Sequence, residues 1–163
     1  MLRAELTNGE IVTDASIAHA PVDNFEVYAE NGRIIFNALN ATTVAVGVHR
    51  GSLEATVLQP ELVHVNVAQG PVNLTVASYG PKQPTVRAES TNGPVSVTMG
   101  PGFSGWFVAS AYQAVAAVRS AVGKRLNLHT IAQELKTGWI KSSSGEGRIE
   151  VDSMSGGVGI SFA

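Results

Sequence analysis

Four histidines, His19, His49, His64 and His129, are the side chains in this 163-residue chain best suited to bind a metal or move a proton near neutral pH. Their spacing favours neither role. No two lie within four residues of each other, so no H-x-x-x-H or H-E-x-x-H helix can present two imidazoles on one face. His64 stands between Val63 and Val65, the place of an outward, solvated residue on a strand whose valines point in. His49 precedes a glycine corner and would become a ligand only with partners from neighbouring segments. Asp14, Asp23 and Asp152 are far apart in sequence, and Glu54, Glu89 and Glu150 take outward strand positions. No carboxylate pair for acid–base work emerges. The absence of cysteine excludes disulfides, thiol catalysis and thiolate metal sites.

Two glycine-rich strings imitate chemical motifs and fail on context. Gly102-Phe103-Ser104-Gly105 brings its second glycine one place too early for the nucleophile elbow G-x-S-x-G. Gly100, Gly102 and Gly105 do satisfy G-x-G-x-x-G. A dinucleotide site, however, also needs a following helix and a distant acidic residue, and the β-type "WFVASAY" follows instead. This loop is expected to turn a corner and pack Phe103 as a lid. What survives is aromatic. Trp106 and Tyr112 cluster with Phe103 and Phe107, with Trp139 nearby in the chain. Adjacent Trp106 and Phe107 must point to opposite faces of a strand, so one of them is expected at the surface. Trp106, Tyr112 and Trp139 are therefore the candidate ligand contacts, for a sugar ring or a partner protein. The competing reading is a hydrophobic plug closing one end of the fold.

The elements that position these residues follow from a repeat. Gly32, Gly51, Gly70, Gly93, Gly147 and Gly156 each precede aliphatic residues at the second and fourth following positions, as in Gly93-Pro-Val95-Ser-Val97. Gly9 heads a weaker copy. Period-two alternation describes strands with one buried face. Alternating runs such as "FEVYAE" and "LVHVNVA" also precede the glycines, so each unit reads strand, short turn, strand. The anchors from Gly9 to Gly93 are 23, 19, 19 and 23 residues apart. A period near 20 is the mark of a stacked array.

The expected fold is thus all-β: a β-solenoid or β-helix-like stack of about 20-residue strand-turn-strand repeats. An antiparallel β-sandwich is the alternative, because Asn-Gly between alternating runs is also a hairpin signal. One period apart, Glu54, Asn73 and Ser96 should form a polar outward column. The chain is read as one β-repeat domain, residues 1–163, with regular repeats over 6–99 and a degenerate repeat and loop over 100–138. Closing strands fill 139–163. Gln113 stands where a glycine would fall, with Val115 and Ala117 as its inward residues. A short helix near 128–137 is possible, capped by Thr130 and ended by Gly138. The uncharged tail "GGVGISFA" is a candidate exposed strand edge.

A 15 % charged share and a net charge of −2, with basic residues scattered apart from Lys124–Arg125, give no electrostatic pull toward nucleic acid. No run of 18 apolar residues is present to span a bilayer, and "MLRAELTNGE" does not read as a signal peptide. The sequence reads as a soluble chain of undetermined compartment, with no cofactor or metal expected.

The strings Thr91-Asn92-Gly93-Pro94-Val95, Phe103-Ser104-Gly105-Trp106 and Gly147-Arg148-Ile149-Glu150-Val151 resemble a group of fungal domains of unknown function, related in style to bacterial adhesin-like repeat proteins. The resemblance spans Asn31 to the C-terminus. It implies a β-solenoid-like fold and carries no activity or functional residue to this chain. The expected function is a non-catalytic structural, adhesive or self-assembling β-repeat module, associating with protein or with its own copies through strand edges. A glycan-binding module is the alternative, and a polysaccharide-active enzyme is less favoured.

Overall fold

The computed structural model describes residues 1–13, 21–121, 126–142 and 144–163; Asp14, His19 and the Lys124–Arg125 pair lie outside them. The fold is all-β, with no helix among the described residues. Its strands are β1 (Leu2–Thr13), β2 (Val22–Leu58), β3 (Leu62–Gln69), β4 (Val72–Ser78), β5 (Thr85–Asn92) and β6 (Val95–Met99). They are followed by β7 (Gly105–Ala111), β8 (Ala116–Ser120), β9 (Leu126–Ile131), β10 (Leu135–Ile140), β11 (Gly147–Ser153) and β12 (Val158–Phe162).

Most neighbours are parallel and in matching register. Leu2 lies opposite Phe25, Thr43 opposite Leu62, Leu53 opposite Val72, Leu62 opposite Thr85 and Val72 opposite Val95. These partners are 19 or 23 residues apart, the intervals between the glycine anchors. The glycines themselves form a column. A Cβ placed on Gly51 would lie 1.6 Å from the Gly32 carbonyl oxygen, and one on Gly70 would lie 1.6 Å from that of Gly51. Only glycine lets successive backbones approach this closely. The long β2 therefore makes two passes side by side, one on each side of the Gly32-to-Gly51 step.

The twelve strands form one sheet in the order β8-β12-β6-β4-β2-β3-β5-β11-β7-β10-β9, with β1 against β2. The sheet folds over so that its arms meet, β5 against β6, β11 against β12 and β7 against β8, a nearly closed, barrel-shaped arrangement. Columns of like residues fill the space between the arms. Val44, Val63, Val86, Ile149 and Phe107 line one arm, and Leu53, Val72, Val95, Val158 and Ala116 the other, all buried. The parallel registers leave no room for the antiparallel sandwich; among the described residues, only the β7–β10 and β10–β9 pairs are antiparallel.

Three expectations need correction. Residues 128–137 form no helix: β9 and β10 are a hairpin turned at Ala132–Leu135. A helix would have consumed its own backbone groups, whereas β10 pairs along β7 and covers an otherwise open strand edge. Gly138 permits this, since a Cβ there would meet the Asn127 carbonyl oxygen at 2.0 Å and the Phe107 ring at 2.9 Å. In β8 the inward residue opposite Val158 is Ala116, and Val115 is exposed. The turn at Tyr112–Gln113 spends one extra residue and shifts the frame by one, which sends every side chain to the other face. Finally, "GGVGISFA" is not an edge. β12 lies between β6 and β8, and β11 between β5 and β7, so the last strands are inserted ahead of β7 and β8, which come earlier in the chain.

Candidate functional site

The insertion of β11 beside β7, and the fold-back of β10 on β7's other side, set three strands next to one another at one end of an arm. Their matched positions are Arg148, Trp106 and Trp139, continued by Thr85 on β5 and Asn127 on β9. At about 4.8 Å per strand, the row from Arg148 to Asn127 extends roughly 14 Å. The Trp106 and Trp139 ring centroids are 5.0 Å apart with planes at 59°, within the range of favourable aromatic pairs. Trp106 is 42 % exposed and Trp139 half-buried, while Phe107 points inward and is fully buried. This is the division of faces that the strand alternation requires. Beside the pair runs a groove of about 340 Å³ between β7, Thr137 of β10 and the 145–148 segment. Arg148 is oriented there by Glu150, whose carboxylate accepts from its Nε at 2.9 Å.

Tyr112 does not join this patch. It stands at the opposite end of β7, roughly 20 Å along the strand at the usual rise, 80 % exposed over a separate hollow with Gln133 and Leu135. Phe103 packs as a lid should: it is buried, stacked on Phe162 at 5.7 Å and edge-on to Tyr79 at 6.2 Å. Of the described histidines, His49, His64 and His129 are all exposed, and Val63 and Val65 beside His64 are fully buried. The Ser104 backbone N–H donates to the Gln83 side chain, and no described imidazole is placed to activate its hydroxyl. The outward column of Glu54, Asn73 and Ser96 is present, with each residue opposite the next.

Sequence reasoning missed the charged neighbourhood. Asp152 lies opposite Glu89 on one side and Ser110 on the other, with Glu150 two residues away on the same face. Burial first, then the charges of Glu89 and Glu150, hold the Asp152 carboxyl above the usual range, against the opposing Arg87 charge and a hydrogen bond from Ser110. Arg87 in turn binds Glu89. The available signal was the likeness of the frames Gly93-x-Val95-x-Val97 and Gly156-x-Val158-x-Ile160, which are the ones paired in the sheet. Among the described residues, no group of three or more His, Asp and Glu is arranged to hold a metal ion. Nor is any helix there long and apolar enough to cross a membrane.

No protein-family model matches the chain, and no curated protein matches it. Among solved structures, the chain is similar to a putative cell adhesion protein from Clostridium sporogenes, at 13 % identity and a TM-score of 0.49. The match covers 88 % of this chain and 56 % of the other, so this chain spans little more than half of that protein's length.

Proposed function

We propose that this chain is a non-catalytic adhesive β-repeat module whose ligand contact is the Trp106–Trp139 pair, with a saccharide as the ligand class. One observation carries the reading: two tryptophans from adjacent strands, 5.0 Å apart and partly open to solvent, stand in one row between Arg148 and Asn127. The apolar face of a sugar ring stacks on an indole, and its hydroxyls require donors and acceptors at the rim. Guanidinium, carboxamide and carboxylate groups occupy that rim. Backbone pairing on both sides of β7 holds Trp106 rigidly, which lowers the ordering cost of binding.

The same reading takes the architecture as a β-solenoid-like stack. Its support is the set of 19- and 23-residue parallel registers and the glycine column. Such a stack presents long rows of side chains at fixed spacing, which suits adhesion and scaffolding. Tyr112 is left as a separate contact, for a partner protein.

Glycan-array screening of the wild-type chain and of Trp106→Ala and Trp139→Ala tests this. Binding to a defined set of glycans, reduced at least tenfold by either substitution, is expected. Binding that both variants retain, or no glycan bound at all, would remove the proposal.

A further inference from the structure

Strand β1 pairs with β2 along one side, and among the described residues nothing pairs with its other side. Its inward residues are correspondingly under-covered. Leu2 is 45 % exposed and Ala4, Leu6 and Ile11 are half-buried, whereas their partners Phe25, Val27, Ala29 and Ile34 on β2 are buried. A twelve-residue free edge bearing a half-open apolar face is a template for another strand.

The sequence of that edge indicates which strand. Leu2-Arg3-Ala4-Glu5-Leu6 is self-complementary about Ala4. In an antiparallel pair of two copies, Leu2 meets Leu6 of the other copy, Arg3 meets Glu5, and Ala4 meets itself. Leucines and alanine fall on the inward face, and the arginine and glutamate on the outward face. We propose that β1 is the interface of a two-fold symmetric dimer, in which two copies join edge to edge through Leu2–Leu6 and continue one sheet across the axis. Within one copy Arg3 binds Glu5 along its own strand. In the dimer each exchanges that partner for the opposite charge across the axis, a favourable cross-strand arrangement.

The far end of the fold makes the assembly closed rather than fibrous. There β10 covers β7 antiparallel and β9 extends the same arm by a second strand, while β8, level with β7, has no counterpart beyond it among the described residues. That end is stepped by two strand widths, roughly 10 Å. An incoming β1 edge cannot seat on both arms at once. Association therefore uses the same patch on both copies, which closes at two.

The test is sedimentation velocity with light scattering across a concentration series on the full chain. It includes Arg3→Glu, Glu5→Arg and the double exchange, and hydrogen exchange is followed over residues 2–6. A concentration-dependent dimer is expected, with amide protection in 2–6 rising as it forms. Each single variant should raise the dissociation constant about tenfold, given cross-strand pairs of ordinary strength, and the double exchange should restore it. Both positions are exposed charges, so the fold is retained and far-UV circular dichroism will register that. A monomer at every concentration overturns the proposal and leaves the edge to a partner of different sequence. A dimer indifferent to both single variants, or particles larger than two copies, overturns it equally.

Discussion

Gly51 rests directly on Gly32: its Cα faces the Gly32 carbonyl so closely that a Cβ would lie 1.6 Å from that oxygen, at a φ of +143°. Gly9 has a similar φ of +125°, but it heads the column, and a Cβ there would meet only Leu6 at 3.9 Å. The two positions separate conformational strain from stacking. Gly9→Ala should cost about 1–2 kcal/mol, strain alone. Gly51→Ala should cost about 3 kcal/mol or more, since strain and a backbone collision add. Urea melts of both variants measure the difference; equal costs would mean that the two backbones do not press together at this corner.

The inserted position of β12 has its own energetic signature. Ile160 is 1 % exposed between Val97 on β6 and Val118 on β8. Ile160→Ala should therefore destabilise by about 2–5 kcal/mol, the range for a buried aliphatic. A terminal strand on an open edge would lose well under half of that. Chemical denaturation decides between the two.

Asp152 makes the stability depend on pH in an unusual direction for a carboxylate. Its folded pKa is raised by burial and by Glu89 and Glu150. The neutral form is favoured in the fold, so its contribution is full below the unfolded pKa and is lost as pH rises through the raised folded value. Asp152→Asn should then raise the melting temperature at pH 7 and leave it unchanged near pH 3. A lowered melting temperature at pH 7 would mean that the Arg87 charge and the Ser110 hydrogen bond dominate instead.

The tryptophan pair should be coupled. Rings at 5.0 Å contribute about 0.5–1.5 kcal/mol beyond the area they bury. A double-mutant cycle of Trp106→Ala and Trp139→Ala, read by denaturant unfolding, should return a coupling energy in that range. Strictly additive losses would separate the two side chains in solution.

Much of this architecture could be read from residues such as Gly93, Val95 and Val97, because strand alternation and glycine corners are local properties that any one copy displays. The column of Glu54, Asn73 and Ser96 followed from the period alone. The β9–β10 hairpin did not: Thr130, Ile131, Glu134 and Leu135 suit a helix as well as a strand, and what decides is the open edge of β7, which belongs to another part of the chain. Nor did the neighbourhood of Asp152 and Glu89. They are 63 residues apart and meet only because β11 inserts beside β5, a choice of partner among several similar strands. In the candidate site, the alternation showed that one of Trp106 and Phe107 faces outward, and only the packing of Phe107 in the core assigns that place to Trp106. The approach of Trp139 and Arg148 depended on the non-local pairings of β10 and β11 with β7.

Saccharide contact at the aromatic pair is tested most directly by the indole N–H resonances, since the chain contains two tryptophans and no more. In a ¹H–¹⁵N spectrum each gives one peak, assigned by Trp106→Phe and Trp139→Phe. Titration with the saccharides selected by the array should shift both peaks together and saturably, while backbone amides around Tyr112 stay in place. Two indole peaks unmoved through the titration, with shifts elsewhere or nowhere, would contradict a ligand site at Trp106 and Trp139.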